Sequence, residues 1–193
     1  MNVLVLSGSP HLHGSSSFLE QSYTQGLREA GHSFITVRTA FIDVNPCRGC
    51  DSCTARNGTC IYRDGMLPLY PLFAEAERIA LITPLHYTGM TVHLKKVLDR
   101  LYAMEWSLGL DSHKELDLLA VCGTPDPGEM APLVAEYEAL GRHFKWRCLP
   151  PLLACGYYTR QEIERSAMGE RAREKGRATT PCPGPACNVS YIA

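Results

Sequence analysis

Residues 3–17, near the start of the chain, read VLVLSGSPHLHGSSS and give the strongest indication of the fold. Its four apolar residues, 3–6, form the short run that is typical of a strand buried on both faces. The run breaks at Gly8 and Pro10, and residues 15–30 then carry apolar side chains at helical spacing, with Gly31 as a stop. This order predicts a strand, a turn and a helix, the unit with which a parallel sheet begins.

The chain repeats that alternation. Apolar or β-branched runs predict further strands at residues 33–37, 78–83, 116–122 and 149–155. Helical spacing recurs at residues 91–103 and 131–144, prolines allow only a short or irregular helix within 66–76, and a charged helix is predicted to about residue 175. Because parallel neighbours need a crossover, the pattern predicts an α/β fold: a flavodoxin-like, doubly wound, five-stranded parallel sheet of order 2-1-3-4-5.

The totals fit one ordinary globular domain. The chain has 193 residues, 45% of them hydrophobic and 20% charged, and a domain of this length buries a sizeable core. Its 19 basic and 20 acidic residues nearly cancel, so we expect neither a nucleic-acid nor a membrane partner. We expect residues 1–158 to form the domain, with a Cys-rich insert at 43–64 after strand 2, and residues 159–193 to form a polar C-terminal extension.

The first residues lack the features of a secretory signal. Their apolar run is short and no basic residue precedes it, whereas a signal peptide has a basic start and a longer apolar stretch. No segment approaches the ~20 apolar residues of a membrane span. We therefore expect a cytoplasmic protein, and in a reducing compartment a cluster of cysteines indicates metal or redox chemistry before structural disulfides.

The loop after the first strand has the composition of a phosphate site. Its glycines let the backbone approach an anion, its hydroxyls donate hydrogen bonds, and the following helix offers free N–H groups and a positive dipole end. The loop contains no lysine, so it differs from the P-loop of nucleoside triphosphate sites and suits a single terminal phosphate such as that of FMN. The alternative is a plain N-cap, because any of residues 15–17 can start the helix without a ligand.

Two further loops follow strands 3 and 4. Residues 84–90, PLHYTGM, combine aromatic surface, a glycine and polar groups, which suit a flat heteroaromatic ring. Thr124 stands after strand 4, where its hydroxyl can bond the edge of such a ring. In a doubly wound sheet the ligand lies outside the carboxyl ends of the strands where the winding reverses, so these loops should converge with the first. The alternative is that they are ordinary turns covering the end of the sheet.

Cysteines dominate the segment after strand 2, with the spacing C-x2-C-x2-C-x6-C at Cys47, Cys50, Cys53 and Cys60. A related run ligates iron–sulfur clusters, whereas structural zinc sites usually have two separated pairs. Three interpretations stay open: an iron–sulfur cluster, a zinc site, and thiols that hold no metal.

The other cysteines give weaker indications. Cys122, Cys148 and Cys155 fall in or beside predicted strands, as small core residues do. Cys182 and Cys187 stand in a predicted loop, PCPGPAC, and form either a second metal or redox pair or inert thiols.

Three motifs together resemble a known family: SGSPH…GSSS, NPCRGCDSC…GTCIYRDGM and PLHYTGMTVHLKKVLDR. In this order, over residues 1–155, they are similar to the NAD(P)H-dependent FMN reductase-like proteins and, within them, to the iron–sulfur flavoproteins. The resemblance implies a flavodoxin-like fold, FMN as cofactor, NAD(P)H as donor, and a homodimer or homotetramer whose subunits complete each other's flavin sites.

The resemblance also assigns site residues. It places around the FMN phosphate the side chains of Ser9, His11, Ser15, Ser16 and Ser17. It places along the ring and ribityl chain Pro84, Leu85, His86, Tyr87, Thr88, Gly89 and Met90, with Thr124 near the ring. It assigns a [4Fe–4S] cluster to Cys47, Cys50, Cys53 and Cys60. The chain departs from the family at Asp64-Gly65-Met66, where Asp-Asp-Met is usual, at His86, where an aromatic residue is usual, and at Ser15, where asparagine is usual.

The sequence thus predicts an FMN-dependent oxidoreductase that exchanges electrons with a small-molecule or protein partner and needs no catalytic side chain, because the flavin carries the chemistry. A cluster, if held, would relay single electrons to or from FMN. One rival is a non-catalytic zinc-binding module on a flavodoxin-like scaffold without flavin. The other is a flavin-free regulatory or assembly protein. The intact loop of residues 7–17, called the serine loop below, argues against it.

Overall fold

The strands of the molecule form one parallel sheet. The computed structural model describes residues 1–107, 113–178 and 188–191. Within them the strands are β1 (Asn2–Ser7), β2 (Ser33–Arg38), β3 (Arg78–Pro84), β4 (Glu115–Cys122), β5 (Arg147–Cys148), β6 (Leu152–Cys155) and β7 (Asn188–Tyr191). Their order is β5-β4-β3-β1-β2-β7, and β6 also pairs with β4. The predicted flavodoxin-like order 2-1-3-4-5 is confirmed.

The winding of the sheet reverses at β1. The chain passes from β1 to β2 on one side and then returns to place β3 on the other side of β1, with both pairs parallel. The loops that leave β1 and β3 at the carboxyl edge therefore lead to helices on opposite faces of the sheet, Ser15–Glu29 on one and Val92–Asp99 on the other. In folds of this kind the crevice between such loops is the usual ligand site.

The predicted fifth strand, residues 149–155, is divided into two pieces. β5 pairs with the start of β4, where Arg147 lies opposite Glu115, and β6 pairs with the end of β4, where Cys155 lies opposite Cys122. Pro150 and Pro151 stand between them. Proline has no N–H to donate to a ladder, so the strand breaks there while both pieces keep the same side of β4.

The helices are α1 (Ser15–Glu29), α2 (Leu69–Glu75), α3 (Val92–Asp99), α4 (Tyr102–Glu105), α5 (Ala131–Phe144), α6 (Arg160–Glu164) and α7 (Met168–Arg177). The helix predicted at 91–103 is thus divided into α3 and α4, and the charged helix of the tail into α6 and α7. None of the helices within the described ranges is long and apolar enough to cross a membrane. Cys182 and Cys187 lie outside the described residues.

Both faces of the sheet are buried, as the uninterrupted apolar runs predicted. On one face Leu4 and Leu6 of β1 pack in a core with residues of α2, α3 and α5. On the other face Val3 and Val5 pack in a core with residues of α1, α6 and α7. The sheet is therefore the middle layer of three.

Helix α7 lies directly against α1. A Cβ added to Gly26 of α1 would collide with the carbonyl of Arg173, and one added to Gly176 of α7 would collide with the carbonyl of Tyr23. Lys175 extends from α7 to Asp117 in the middle of β4, with 2.8 Å between Nζ and Oδ1. Two glycines and a buried ion pair thus hold α7 against α1, the helix that follows the serine loop.

Candidate functional site

The loops after β1 and β3 are tied together at the carboxyl edge of the sheet. The hydroxyl of Thr91 donates to the carbonyl of Gly8 at 2.8 Å and also caps α3 by accepting from the N–H of Leu94. A Cβ on Gly8 would lie only 2.6 Å from Thr91 Oγ1. Thr91 was not among the predicted site residues, although a threonine just before a helical pattern is a known N-cap signal.

The first turn of α1 contains a buried hydroxyl without a partner among the described residues. Ser15, Ser16 and Ser17 form the first turn of α1 and are buried, and no side chain caps this helix at Gly14. The Ser15 hydroxyl is buried and has no hydrogen-bond partner among the described residues. Buried hydroxyls normally have partners, and N–H groups at a helix N-terminus attract anions. The arrangement therefore fits a phosphate group.

Of the other predicted phosphate residues, Ser9 and Ser17 are buried and hydrogen-bonded to the loop backbone, whereas His11 is exposed. Ser9 is buried and its Oγ accepts from the N–H of His11 at 3.2 Å, which shapes the loop. Ser17 donates to the carbonyl of Leu12 at 2.6 Å. The side chain of His11 is exposed to solvent. Ser9 and the three helix serines are thus buried, while His11 stays exposed.

The PLHYTGM loop closes on itself as a tight turn. His86 and Gly89 exchange two backbone hydrogen bonds of 3.1 Å, and the two residues between them, Tyr87 and Thr88, have φ values of 44° and 71°. Such left-handed conformations cost non-glycine residues roughly 1–3 kcal/mol each and cluster at functional sites. The side chain of Tyr87 is fully exposed, at 103%.

The ends of the same loop are anchored in the protein. Pro84 is the last residue of β3, and the N–H of Leu85 donates to the carbonyl of Val121 at 2.8 Å. Met90 packs in the core beneath the loop, and its N–H donates to Glu136 at 3.4 Å. The predicted ring contacts therefore share one edge of the sheet, with Met90 facing the core.

Thr124 stands in the next loop along this edge. Its Oγ1 accepts from the N–H of Asp126 at 3.3 Å, and its carbonyl accepts from the N–H of Gly156 at 2.7 Å. Beside it Tyr158 lies against Gly123, where a Cβ would approach the Tyr158 ring to 2.9 Å. The loop after β4 is therefore fixed by the loop after β6.

Tyr158 is a candidate site residue that sequence reasoning missed. Its side chain is 86% exposed, while its backbone N–H donates to Glu162 Oε2 at 2.8 Å within the capping box that starts α6. The available signal was its place after the predicted fifth strand, because the carboxyl end of every parallel strand meets this edge.

The four predicted metal-binding cysteines line one cleft, together with Tyr62 and Arg100. Cys53 is buried, Cys60 half-buried, and Cys47 and Cys50 exposed. Burial raises the pKa of the Cys53 thiol, and the neighbouring Cys60, Cys47 and Cys50 add to the rise. Within the described ranges no three His, Cys, Asp or Glu side chains are grouped closely enough to hold a metal ion.

Arg100 fastens both ends of this cysteine segment. Its buried guanidinium donates to the carbonyl of Asn45 and to Asp64, each at 2.8 Å, and lies 5.0 Å from the centre of the Tyr62 ring. Burial opposes ionisation of Asp64, but the hydrogen bonds from Arg100 and the backbone lower its pKa to about 2. Sequence reasoning missed this residue, because nothing in its spacing reveals a partner 36 residues away.

Comparison with known proteins agrees with the motifs. An iron–sulfur flavoprotein of Archaeoglobus fulgidus is 27% identical over 131 residues, which are 68% of this chain and 59% of that protein. The matches to four other curated iron–sulfur flavoproteins cover about half of each relative. The chain therefore spans only about half the length of the curated relatives it matches.

Solved structures share the fold. The NAD(P)H:quinone oxidoreductase from Methanothermobacter marburgensis superposes with a TM-score of 0.74 at 19% identity, covering 92% of this chain and 96% of that one. An FMN-dependent NADH-azoreductase from Bacillus anthracis str. Ames Ancestor, in complex with FMN, has a TM-score of 0.69 at 12% identity, covering 93% and 100%. The profile of the family described as NADPH-dependent FMN reductase matches residues 1–124, which include the serine loop, the cysteine segment and the PLHYTGM loop. The chain belongs to the NADPH-dependent FMN reductase family.

Proposed function

We propose that the protein is an FMN-dependent oxidoreductase that takes electrons from NAD(P)H and passes them to a small-molecule or protein acceptor. The observation that carries the proposal is the buried, unpartnered Ser15 hydroxyl at the uncapped start of α1. Membership of the family and the FMN bound in one structurally similar azoreductase support it. Bound FMN would supply hydride and single-electron transfer, while the protein supplies binding and orientation.

Different residues at the carboxyl edge would bind the phosphate and the ring of FMN. The hydroxyls of Ser9 and Ser15 and the N–H groups of the first turn of α1 would hold the phosphate, with the helix dipole adding attraction. The anchored turn at residues 86–89 and the loop of Thr124 would form the walls along the ring. Tyr158 would cover one side of that space and exclude water from it.

We also propose that Cys47, Cys50, Cys53 and Cys60 hold a [4Fe–4S] cluster, which would supply one-electron transfer when bound. All four thiols line one cleft, which Arg100 also lines while its guanidinium, paired with Asp64, holds both ends of the segment. The names of the curated relatives support the same cofactor. Zinc is less favoured, because structural zinc sites usually have two separated cysteine pairs, whereas three of these cysteines follow one another at two-residue spacing.

We propose that two or four copies of the chain assemble at this same edge. The loops after β1, β3 and β6 expose the large apolar side chains of Leu12, Tyr87 and Tyr158, and Val92 at the start of α3 is also exposed. Because all four follow the carboxyl ends of parallel strands, they share one edge of the sheet, and exposed apolar surface marks an interaction site. Light scattering at several concentrations should therefore give the mass of a dimer or tetramer, and a monomer at all of them would refute this assembly.

The Ser15→Ala variant tests the phosphate site. Removing a buried hydroxyl that lacks a partner should leave the thermal stability of the FMN-free protein unchanged or slightly higher. The same change should weaken FMN binding about tenfold or more, because a hydrogen bond to a charged group contributes roughly 1.5–3 kcal/mol. Quenching of flavin fluorescence on titration measures the Kd.

Ser22→Ala is the matched control, since Ser22 lies on the same helix, half-buried and away from its N-terminus. It should bind FMN as the unaltered protein does. If Ser15→Ala and the unaltered protein have equal Kd values, the phosphate assignment is wrong. If the unaltered protein binds no FMN, the proposed function is wrong.

A further inference from the structure

Two cysteines outside the cysteine segment face each other at the carboxyl edge of the sheet. Cys122 is the last residue of β4 and Cys155 the last residue of β6, and they lie directly opposite in the parallel pairing. Residues in register point to the same face of a sheet. Neighbouring strands lie about 4.8 Å apart, within the roughly 4.4–6.8 Å that separates the Cα atoms of disulfide-bonded cysteines.

The two thiols are free and are neighbours. The Cys122 side chain is largely buried and its Sγ donates to the carbonyl of Thr124 at 3.3 Å. Cys155 is half-buried and packs against the same core. Burial, followed by the hydrogen-bonded Cys122 thiol, raises the pKa of Cys155 to about 11. The pair is therefore a dithiol rather than two isolated core residues.

The backbone around the pair can adjust. A disulfide brings the Cβ atoms to about 3.8 Å, so the strand ends must approach by up to about 1 Å from the usual spacing. Both strands end at these residues, and Gly156, at φ 82°, turns the chain away immediately after Cys155. The carbonyl of Thr124 keeps a second donor, the N–H of Gly156 at 2.7 Å, so Cys122 can leave it without stranding that oxygen.

We propose that Cys122 and Cys155 are a redox-active dithiol that a low-molecular-weight disulfide oxidises to an intramolecular disulfide. One protein thiolate attacks the reagent, breaks its S–S bond and releases one small thiol. The second protein thiol then attacks the mixed disulfide and releases the other small thiol. The two protein thiols lose two electrons and two protons, and the reagent gains them.

Closure of this bond acts on the loop that begins with the next residue. Cys122 precedes Gly123 and Thr124, and closure exchanges its hydrogen bond to the Thr124 carbonyl for a covalent bond to β6. On the other strand Tyr158 stands three residues beyond Cys155, against Gly123. The inferred disulfide therefore changes the walls of the ring site, and this second step rests on the proposed function.

Peptide mapping tests the bond itself. The purified protein is incubated with excess glutathione disulfide, alkylated and digested without reduction. The expected product is a peptide pair joining Cys122 to Cys155, absent in Cys155→Ser and retained in Cys148→Ser, whose cysteine lies on β5. The rate should rise with pH between pH 7 and 9, because the thiolate attacks. Failure of this pair to form, even at pH 9, would overturn the proposal.

Flavin titration tests the coupling. The disulfide form should bind FMN with a Kd at least threefold different from that of the dithiol form, and dithiothreitol should restore the original value. Equal Kd values for a protein with the mapped disulfide would overturn the coupling. A dithiol form that binds no FMN would overturn the proposed function, while the peptide map would still decide whether the disulfide forms.

Discussion

Replacing Lys175 by Met should lower the free energy of unfolding by about 3–5 kcal/mol, because it leaves a buried carboxylate without its cation. Asp117 lies in the middle of β4 with its side chain 0% exposed, and Lys175 Nζ is 2.8 Å from its Oδ1. Met keeps an aliphatic stem of similar length, so little packing is lost.

The magnitude follows from what remains around Asp117. After the change its carboxylate keeps two neutral donors, the Tyr23 hydroxyl at 3.2 Å and the N–H of Leu118 at 2.9 Å. Each hydrogen bond contributes only about 1 kcal/mol, which does not offset the several kcal/mol needed to bury an unpaired charge. Asp117→Asn added to Lys175→Met removes that charge, so the double variant should be more stable than Lys175→Met by about 1–3 kcal/mol.

Urea unfolding, followed by far-ultraviolet circular dichroism, measures these differences. Lys95→Met is the matched control, because Lys95 pairs with Asp99 at the surface, where the side chains are 46% and 43% exposed. That variant should lose no more than about 1 kcal/mol. A loss below about 1 kcal/mol for Lys175→Met, or strictly additive effects in the double variant, would refute the buried ion pair as the anchor of α7.

Three further changes test other parts of the structure. Gly176→Ala should lower the melting temperature and cost about 1–3 kcal/mol by overpacking, because its Cβ meets the carbonyl of Tyr23; a higher melting temperature, as helix propensity alone favours, would contradict the contact. Burial lowers the pKa of His32 in the folded protein, so the free energy of unfolding should fall as the pH drops below about 6.5, the pKa of histidine in the unfolded chain. Urea titrations at pH 7.5 and 5.5 should show that this fall is smaller in His32→Gln than in the unaltered protein. Arg100→Gln should lower the urea midpoint and reduce the iron bound after anaerobic reconstitution to half or less. Arg56→Gln, a change at an exposed arginine, should do neither. Equal iron in the two variants would show that Arg100 does not help to hold the cluster.

The arrangement of the sheet could be predicted from the sequence because parallel strands are buried on both faces. Residues 3–6, 78–83 and 116–122 are apolar almost throughout, and β1, β3 and β4 appear at those places within two residues. Local composition also indicated where the loops at the carboxyl edge begin. Strands and loop starts can be predicted because they depend mainly on residues that are close together in the sequence.

The features that could not be predicted depend on residues far apart in the chain. β7 adds beside β2 through backbone pairing, and backbone groups carry no sequence signal. The ion pair of Arg100, the residue after α3, reaches Asp64, and Lys175 reaches Asp117 from α7. Such pairs are set by tertiary packing, so the sequence showed their charges but not their partners.

The visible absorption spectrum of anaerobically purified protein, with iron and zinc assays on the same sample, decides whether the chain holds both flavin and cluster. We expect flavin bands, FMN released on denaturation, and a broad brown shoulder with about four irons per chain. Cys53→Ser should lose the iron and the shoulder, while Cys148→Ser keeps both. Flavin without iron would remove the cluster and leave the reductase. A colourless protein with neither flavin nor iron would show that the chain is not a flavoprotein.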